Sequence, residues 1–275
     1  MKAVRPAAVA GTWYPGSAPA LGAAVDGYLA RARRDLAGDL VAIVAPHAGL
    51  KYSGPIAAHA YRLLDGRSFD VAVLVGPSHF VAFDGVAVHA SGGFATPYGV
   101  APIDADCASA LMHVAPVVHE HAAAHAREHS LEMQLPFLQR VAPGIKIVPL
   151  LMGRQTADTA RALAAGLTAV LRGRNALLVA STDLSHYHDA ASAASLDAVV
   201  IDHVARFSAD GLQAALEARP EHACGGGPTV AVMRAARELG ARDAVVLQYG
   251  DSGDVSGDKS AVVGYLSAAF GNFSG

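Results

Sequence analysis

Cysteine and charge are both scarce in this chain of 275 residues. The two cysteines, Cys107 and Cys224, do not make a disulfide framework in a chain this long. Charged residues make up 16% and the net charge is −3, which removes the electrostatic case for nucleic acid or an anionic membrane as partner. No apolar run reaches membrane-spanning length without interruption. The opening MKAVRPAAVAGTWYPG is too poor in apolar residues and too broken by Pro and Gly for a signal peptide. A soluble cytoplasmic protein is expected. Hydrophobic residues make up 52%, so the chain has material for a sizeable core.

Three apolar runs each end in a histidine. They are VAIVAPHAG with His47, VAVLVGPSH with His79, and LLVASTDLSH with His186. Each is short and free of polar alternation, the pattern of a strand buried on both faces. In open α/β sheets, ligands sit beyond the carboxyl ends of such strands. Imidazole is the commonest protein ligand for transition metals. Three histidine-bearing ends therefore point to one metal-centred pocket on an α/β sheet.

The rest of the pattern alternates helix and strand. Residues 1–16 read as an irregular arm and 18–36 as a helix, followed by a strand over 41–46. A helix over 57–64, strands over 71–76 and 85–90, and a turn-rich loop GGFATPYG come next. Asp104 is placed to cap a helix running to about His113. SLEMQLPFLQRV (130–141) is helical in pattern, with Pro136 interrupting it. IKIVPLLMG (145–153) reads as a strand near an edge or bulge because of Pro149. TADTARALAAGLTAVLRG (156–173) is the clearest helix. Strand 176–182, helices over 192–207, 208–218 and 228–240, and strands over 244–250 and 261–270 complete the chain. No linker, charge block or repeat divides residues 1–275. The expectation is one α/β domain with a mostly parallel or mixed sheet covered by helices on both faces.

Several residues carry chemistry. His47 and His79 share one device, a strand, then proline, then histidine. Asp183 lies where its strand ends, beside His186. A carboxylate there either tunes the imidazole as a proton shuttle or caps the following turn. Cys224, in ACGGGPTV, sits at a helix N-terminus, which favours thiolate. It is a metal ligand, a nucleophile or a small buried residue of a tight turn. Cys107 reads as inert core. In HEHAAAHAREHS, His121 and His125 read as a solvated helical face, while His129 stands beside Glu128. DSGDVSGDKS lacks the EF-hand spacing and reads as a flexible active-site rim.

Taken together, the segments AGTWYPG, IVAPHAGLKYSG, AAHAYRLL, LVGPSHF, EHSLEMQLPFL, IVPLLMG, STDLSHY, CGGGP and VVGYLSAAF resemble the Memo family. Its prokaryotic members are named AmmeMemoRadiSam system protein B. The resemblance implies a fold similar to class III extradiol dioxygenases, which use non-haem Fe(II) held by two histidines and a glutamate to open catechol rings. Carried over by motif, the histidine ligands fall on His47 and His79. The third ligand falls on Cys224, where the dioxygenases have a carboxylate. The acid/base histidine falls on His186 with Asp183 beside it, and the histidine contacting bound oxygen falls on His129. Fe(II) is the metal the resemblance implies, with Zn or Cu as alternatives because thiolate is the softer donor. The resemblance also implies an AMMECR-type protein and a radical SAM enzyme as partners.

Three functions compete. The first is a dioxygenase-like oxidoreductase acting on a small substrate of unknown identity. The second is a non-catalytic peptide- or protein-binding module around a vestigial metal pocket, since animal members resemble signalling adaptors. Trp13, Tyr14 and Tyr52 would supply its aromatic contacts, against the plainer reading of Trp13 as packing for the arm. The third is a zinc-dependent hydrolase with Glu128 as base.

Overall fold

Consecutive residues of the apolar runs face opposite cores. In Ala37–Ala45, Ala42 and Val44 join one hydrophobic cluster, while Ile43 and Ala45 join the other. Val71–Pro77 divides the same way, Val73 and Val75 against Ala72 and Leu74. So does Ala176–Ser181, with Leu178 and Ala180 opposed to Leu177 and Val179. Both faces of these strands are covered, which is why the sequence shows no polar alternation. The computed structural model describes residues 4–33 and 36–274.

The main sheet has nine strands among the described residues. Its order is His186–His188, Val262–Ser274, Ala37–Ala45, Ala176–Ser181, Val71–Pro77, Lys146–Met152, Val86–Val88 and Val118–Glu120. Asp243–Asp251 also pairs with Val262–Ser274. The four strands from Ala37–Ala45 to Lys146–Met152 run parallel. Val262–Ser274 and Val86–Val88 flank them antiparallel. Helices Ala18–Arg31, Leu50–Arg62 and Leu135–Val141 contribute to the core on one face. Helices Ala105–Val114, Ala157–Leu171, Ala190–Ala205 and Gly226–Glu238 contribute to the other. This is the expected α/β class, a mixed sheet between helical layers. Among the described residues, no helix is long and apolar enough to cross a membrane.

The structure departs from the sequence reading in several places. The first helix ends at Arg31, and the end expected for it near residue 36 falls beside residues 34–35, outside the described set. GGFATPYG is not a loop. Gly93–Thr96 pairs antiparallel with Gly99–Pro102 and parallel with Val4–Arg5, so the arm is the edge of a three-stranded sheet. Pro149 lies in an interior strand, in register with Leu74. On its other side it falls between Ile147, bridged to Ile103, and Leu150, paired with Val88. Its missing N–H thus points into a gap between two short partners, which is how the sheet accepts it.

In HEHAAAHAREHS the first two residues belong to strand Val118–Glu120 and the helix is only the single turn Ala122–His125, so His121, His125 and His129 share no helical face. His125 is buried, its Nε2 bonded to the Ala87 carbonyl at 3.2 Å; it is core, not a solvated surface. DSGDVSGDKS holds one helical turn, Gly253–Ser256, closed by Lys259 on Asp251 and Asp254 at 2.8 and 2.5 Å.

Candidate metal centre

The parallel strands end in neighbouring positions, and their next residues build the site. His47 follows Ala37–Ala45 by one proline, and His79 follows Val71–Pro77 by one serine. Between them lies the end of Ala176–Ser181. The turn before helix Gly226–Glu238 docks on that end. Cys224 N donates to the Asp183 carbonyl at 3.2 Å, and Gly225 N to Thr182 Oγ1 at 2.9 Å. A β-carbon on Gly225 would stand 2.3 Å from the Ser181 carbonyl oxygen, so only glycine lets the turn approach this closely. One ligand atom each from His47, His79 and Cys224 then lies within 4.8 Å of the others. His47 Nε2 and Cys224 Sγ are 3.3 Å apart.

Each imidazole is held through its other nitrogen. His47 Nδ1 meets Ser181 Oγ at 2.8 Å. His79 Nδ1 meets Glu128 Oε1 at 2.9 Å, and His79 N donates to Oε2 at 2.6 Å. Glu128 Oε1 also accepts from His129 N and Ser130 N at 2.8 and 2.9 Å. Burial would raise the Glu128 carboxyl, but these bonds, that of His79 first, overcome it and hold it at about 2. Glu128 is therefore an orienting carboxylate, the usual outer partner of a metal-binding histidine. His79, Glu128 and His129 also cluster within 4.8 Å, yet the hydrogen bond from His79 makes that group the outer support of the first.

His129 stacks on His79 at 4.6 Å between ring centroids and lies 5.7 Å from His47. Burial lowers it to about 4. His186 lies close enough for its charge to be felt at His47, and burial lowers it as well. Its Nδ1 bonds the Leu184 carbonyl at 2.8 Å, which leaves Nε2 for proton traffic.

Asp183 does not orient His186 as expected. Its Oδ1 accepts from His47 N at 2.7 Å and Ala48 N at 3.3 Å. It fixes the backbone of the first histidine loop, because the strand end turns its side chain toward the neighbouring strand. Burial pushes its carboxyl up to about 7 against those bonds. The Cys224 thiol is also pushed up, first by burial and then by Asp183. This reverses the thiolate-favouring effect expected from the helix N-terminus.

The N-terminal arm closes one side. Buried Glu132 accepts from Ala8 N, Val9 N and Tyr14 Oη at 2.7, 3.0 and 2.7 Å and pairs with Arg5. Trp13 then lies 4.3 Å from the His129 ring while remaining 39% exposed. It belongs to the mouth of the site rather than to packing of the arm alone. Phe80 and Tyr187, also exposed, lie 5.8 and 5.6 Å from His129 and His186.

Sequence reasoning missed Arg5, Ser181, Glu132 and Gln134, and gave Glu128 the wrong role. The available signal was polar: Glu128, Glu132 and Gln134 interrupt an apolar stretch and are buried.

The donor set fits a metal ion. Two imidazoles with their far nitrogens engaged and one thiol converge from separate elements, and bonds of about 2.0–2.3 Å match their spacing. Fold and site together define a mixed α/β protein with a candidate His–His–Cys metal centre. A family profile described as "Memo-like protein" matches residues 5–269. MEMO1 family proteins of Methanopyrus kandleri and Ignicoccus hospitalis are 38% and 36% identical to it, over 84% and 97% of this chain and 83% and 98% of theirs. That of Methanosarcina acetivorans is 40% identical over 81% of this chain and 82% of its own. The chain belongs to the Memo family. A crystal structure of an uncharacterized protein from Escherichia coli K12 shares the fold. Its TM-score is 0.59 at 18% identity, covering 85% of this chain and all of that one.

Proposed function

We propose that this protein is a metal-dependent oxidoreductase acting on a small molecule, with Fe(II) held by His47, His79 and Cys224. The observation that carries the reading is the convergence of these three donors within 4.8 Å at adjacent strand ends. Bound there, the metal would supply redox chemistry and open coordination positions for substrate and oxygen. The protein's own groups supply the rest. Glu128 aims His79, Asp183 fixes the loop of His47, and His186 offers Nε2 as the proton-moving group at the site. His129 packs between the Trp13 and His79 rings, beside the metal position.

Metal content after anaerobic purification tests this reading, with His47→Ala and Cys224→Ser as comparisons. Near-stoichiometric iron in the wild type, lost in both variants, is the expected result. No metal, and no tight uptake of added Fe(II), would overturn it. The exposed Trp13, Phe80 and Tyr187 favour a second reading, a peptide-binding mouth, which binding unaffected by chelator would support. The hydrolase reading loses its base, because Glu128 is already engaged in four hydrogen bonds.

A further inference from the structure

Behind His47 lies a closed chain of hydrogen bonds. Tyr61, Gln134, Ser181 and Ser130 have no exposed surface, so water does not compete for their bonds. Tyr61 Oη donates to Gln134 Oε1 at 2.7 Å. Gln134 Nε2 donates to the Pro46 carbonyl at 3.1 Å and to Ser181 Oγ at 2.8 Å. Ser181 Oγ donates to the Ser130 carbonyl at 2.7 Å. The remaining contact of Ser181 Oγ is His47 Nδ1 at 2.8 Å.

Donor inventory fixes every direction in this chain. Carbonyl oxygens only accept, so the Gln134 atom facing Pro46 is the amide nitrogen. Its two hydrogens go to Pro46 and Ser181. The Ser181 hydroxyl has one hydrogen, and the Ser130 carbonyl takes it. Ser181 oxygen therefore accepts from both Gln134 and His47. His47 must carry its proton on Nδ1, and its bare Nε2 faces Cys224 Sγ at 3.3 Å. Neutral imidazole in water prefers the opposite tautomer, so the protein imposes this one.

We infer that Ser181 and Gln134 are positioning residues that lock His47 in the Nδ1–H tautomer, with the Nε2 lone pair presented to the metal position. The functional part rests on the proposed role of His47 as a ligand; the tautomer itself does not. Tyr61 and the Pro46 carbonyl anchor the lock, since they hold the Gln134 amide in one orientation. An unlocked ring would have to exchange tautomers each time a metal bound.

Long-range proton–nitrogen NMR of the metal-free protein reads the tautomer directly, without any substitution. The expected spectrum shows a protonated Nδ1 and an unprotonated Nε2 for His47. Ser181→Ala should shift His47 toward Nε2–H and weaken Zn²⁺ binding, measured by chelator competition, by about 10–100-fold. A wild-type His47 protonated on Nε2 overturns the inference, and so does a Ser181→Ala variant that keeps both tautomer and affinity. A wild-type Nδ1–H tautomer whose Nε2 resonance ignores added Zn²⁺ would sink the ligand role of His47 and leave the lock standing.

Discussion

Arg5 Nη1 and Glu132 Oε2 form an ion pair at 2.5 Å across 127 positions of sequence, and both side chains are buried. Arg5 also donates to the His125 and Glu128 carbonyls, so one guanidinium ties the arm to the segment that supports the site from outside. Removing one member of such a pair leaves the other buried and unpaired. Glu132→Ala should therefore cost about 3–5 kcal/mol in urea unfolding. Trp13 is the one tryptophan of the chain, so release of the arm should also change its emission. Unchanged stability and emission would show that the clamp is unimportant.

Glu128 sets the ring of His79 through Nδ1. Replacing it by glutamine puts an amide N–H where donors already point. Metal affinity should fall by about 10–100-fold, with the native near-ultraviolet spectrum retained. Equal affinity in chelator titrations would remove Glu128 from its supporting role.

Metal uptake should expel a proton. Burial holds Cys224 as a thiol, and a ligating sulfur is a thiolate. Apparent Zn²⁺ affinity is expected to rise about tenfold per pH unit while the free thiol stays protonated. Affinity that is flat from pH 6 to 8 would mean that the sulfur does not ligate.

Acid should destabilise the fold in a defined window. Burial lowers His125 to about 3. Between that value and about 6.5 the unfolded chain binds a proton that the folded chain refuses, so stability falls as pH falls. The slope from this group approaches about 1.4 kcal/mol per pH unit. Glu128, held near 2, adds the same sign below its unfolded value, and its contribution is lost as pH falls through 2. His125→Phe should flatten the first part of the curve in urea titrations between pH 4 and 6.5. An unaltered slope would place the titrating groups elsewhere.

The Cys224 turn tolerates no side chain at its second residue. Gly225→Ala would set a β-carbon 2.3 Å from the Ser181 carbonyl and 2.8 Å from Thr182 Cβ. A loss of about 1–3 kcal/mol is expected from the overpacking, together with loss of metal binding as Cys224 withdraws. Full metal occupancy in this variant would show that the turn can yield.

The three histidine-ended runs were legible because a doubly buried strand leaves an unbroken apolar stretch, and because the residues just past its carboxyl end face the ligand side. The approach of Cys224 to His47 was not legible from spacing, since 177 positions separate them and only motif resemblance linked them. The role of Asp183 was misread because sequence adjacency favoured His186, whereas the pleat sends the carboxylate across to His47 N. GGFATPYG looked like a loop because glycine and proline dominate it. Pairing with the arm and packing of Phe94 in the core make strands of it. Ser181 was hidden as one more small residue of an apolar run.

Strand Val262–Ser274 touches three other strands, and Gly264 bonds Leu184 N and the Ser185 carbonyl at 2.8 and 3.0 Å. It braces the turn that carries His186, yet a ribosome makes it long after His47 and His79. At about 5–20 residues per second, those two imidazoles wait about 7–35 seconds for Cys224, and longer for the brace. Assembly of the candidate His–His–Cys centre thus waits on residues made late in synthesis. A nascent chain arrested at residue 240 would already carry both histidines and the thiol, and a protease should still cut it near Leu184, where the finished protein resists.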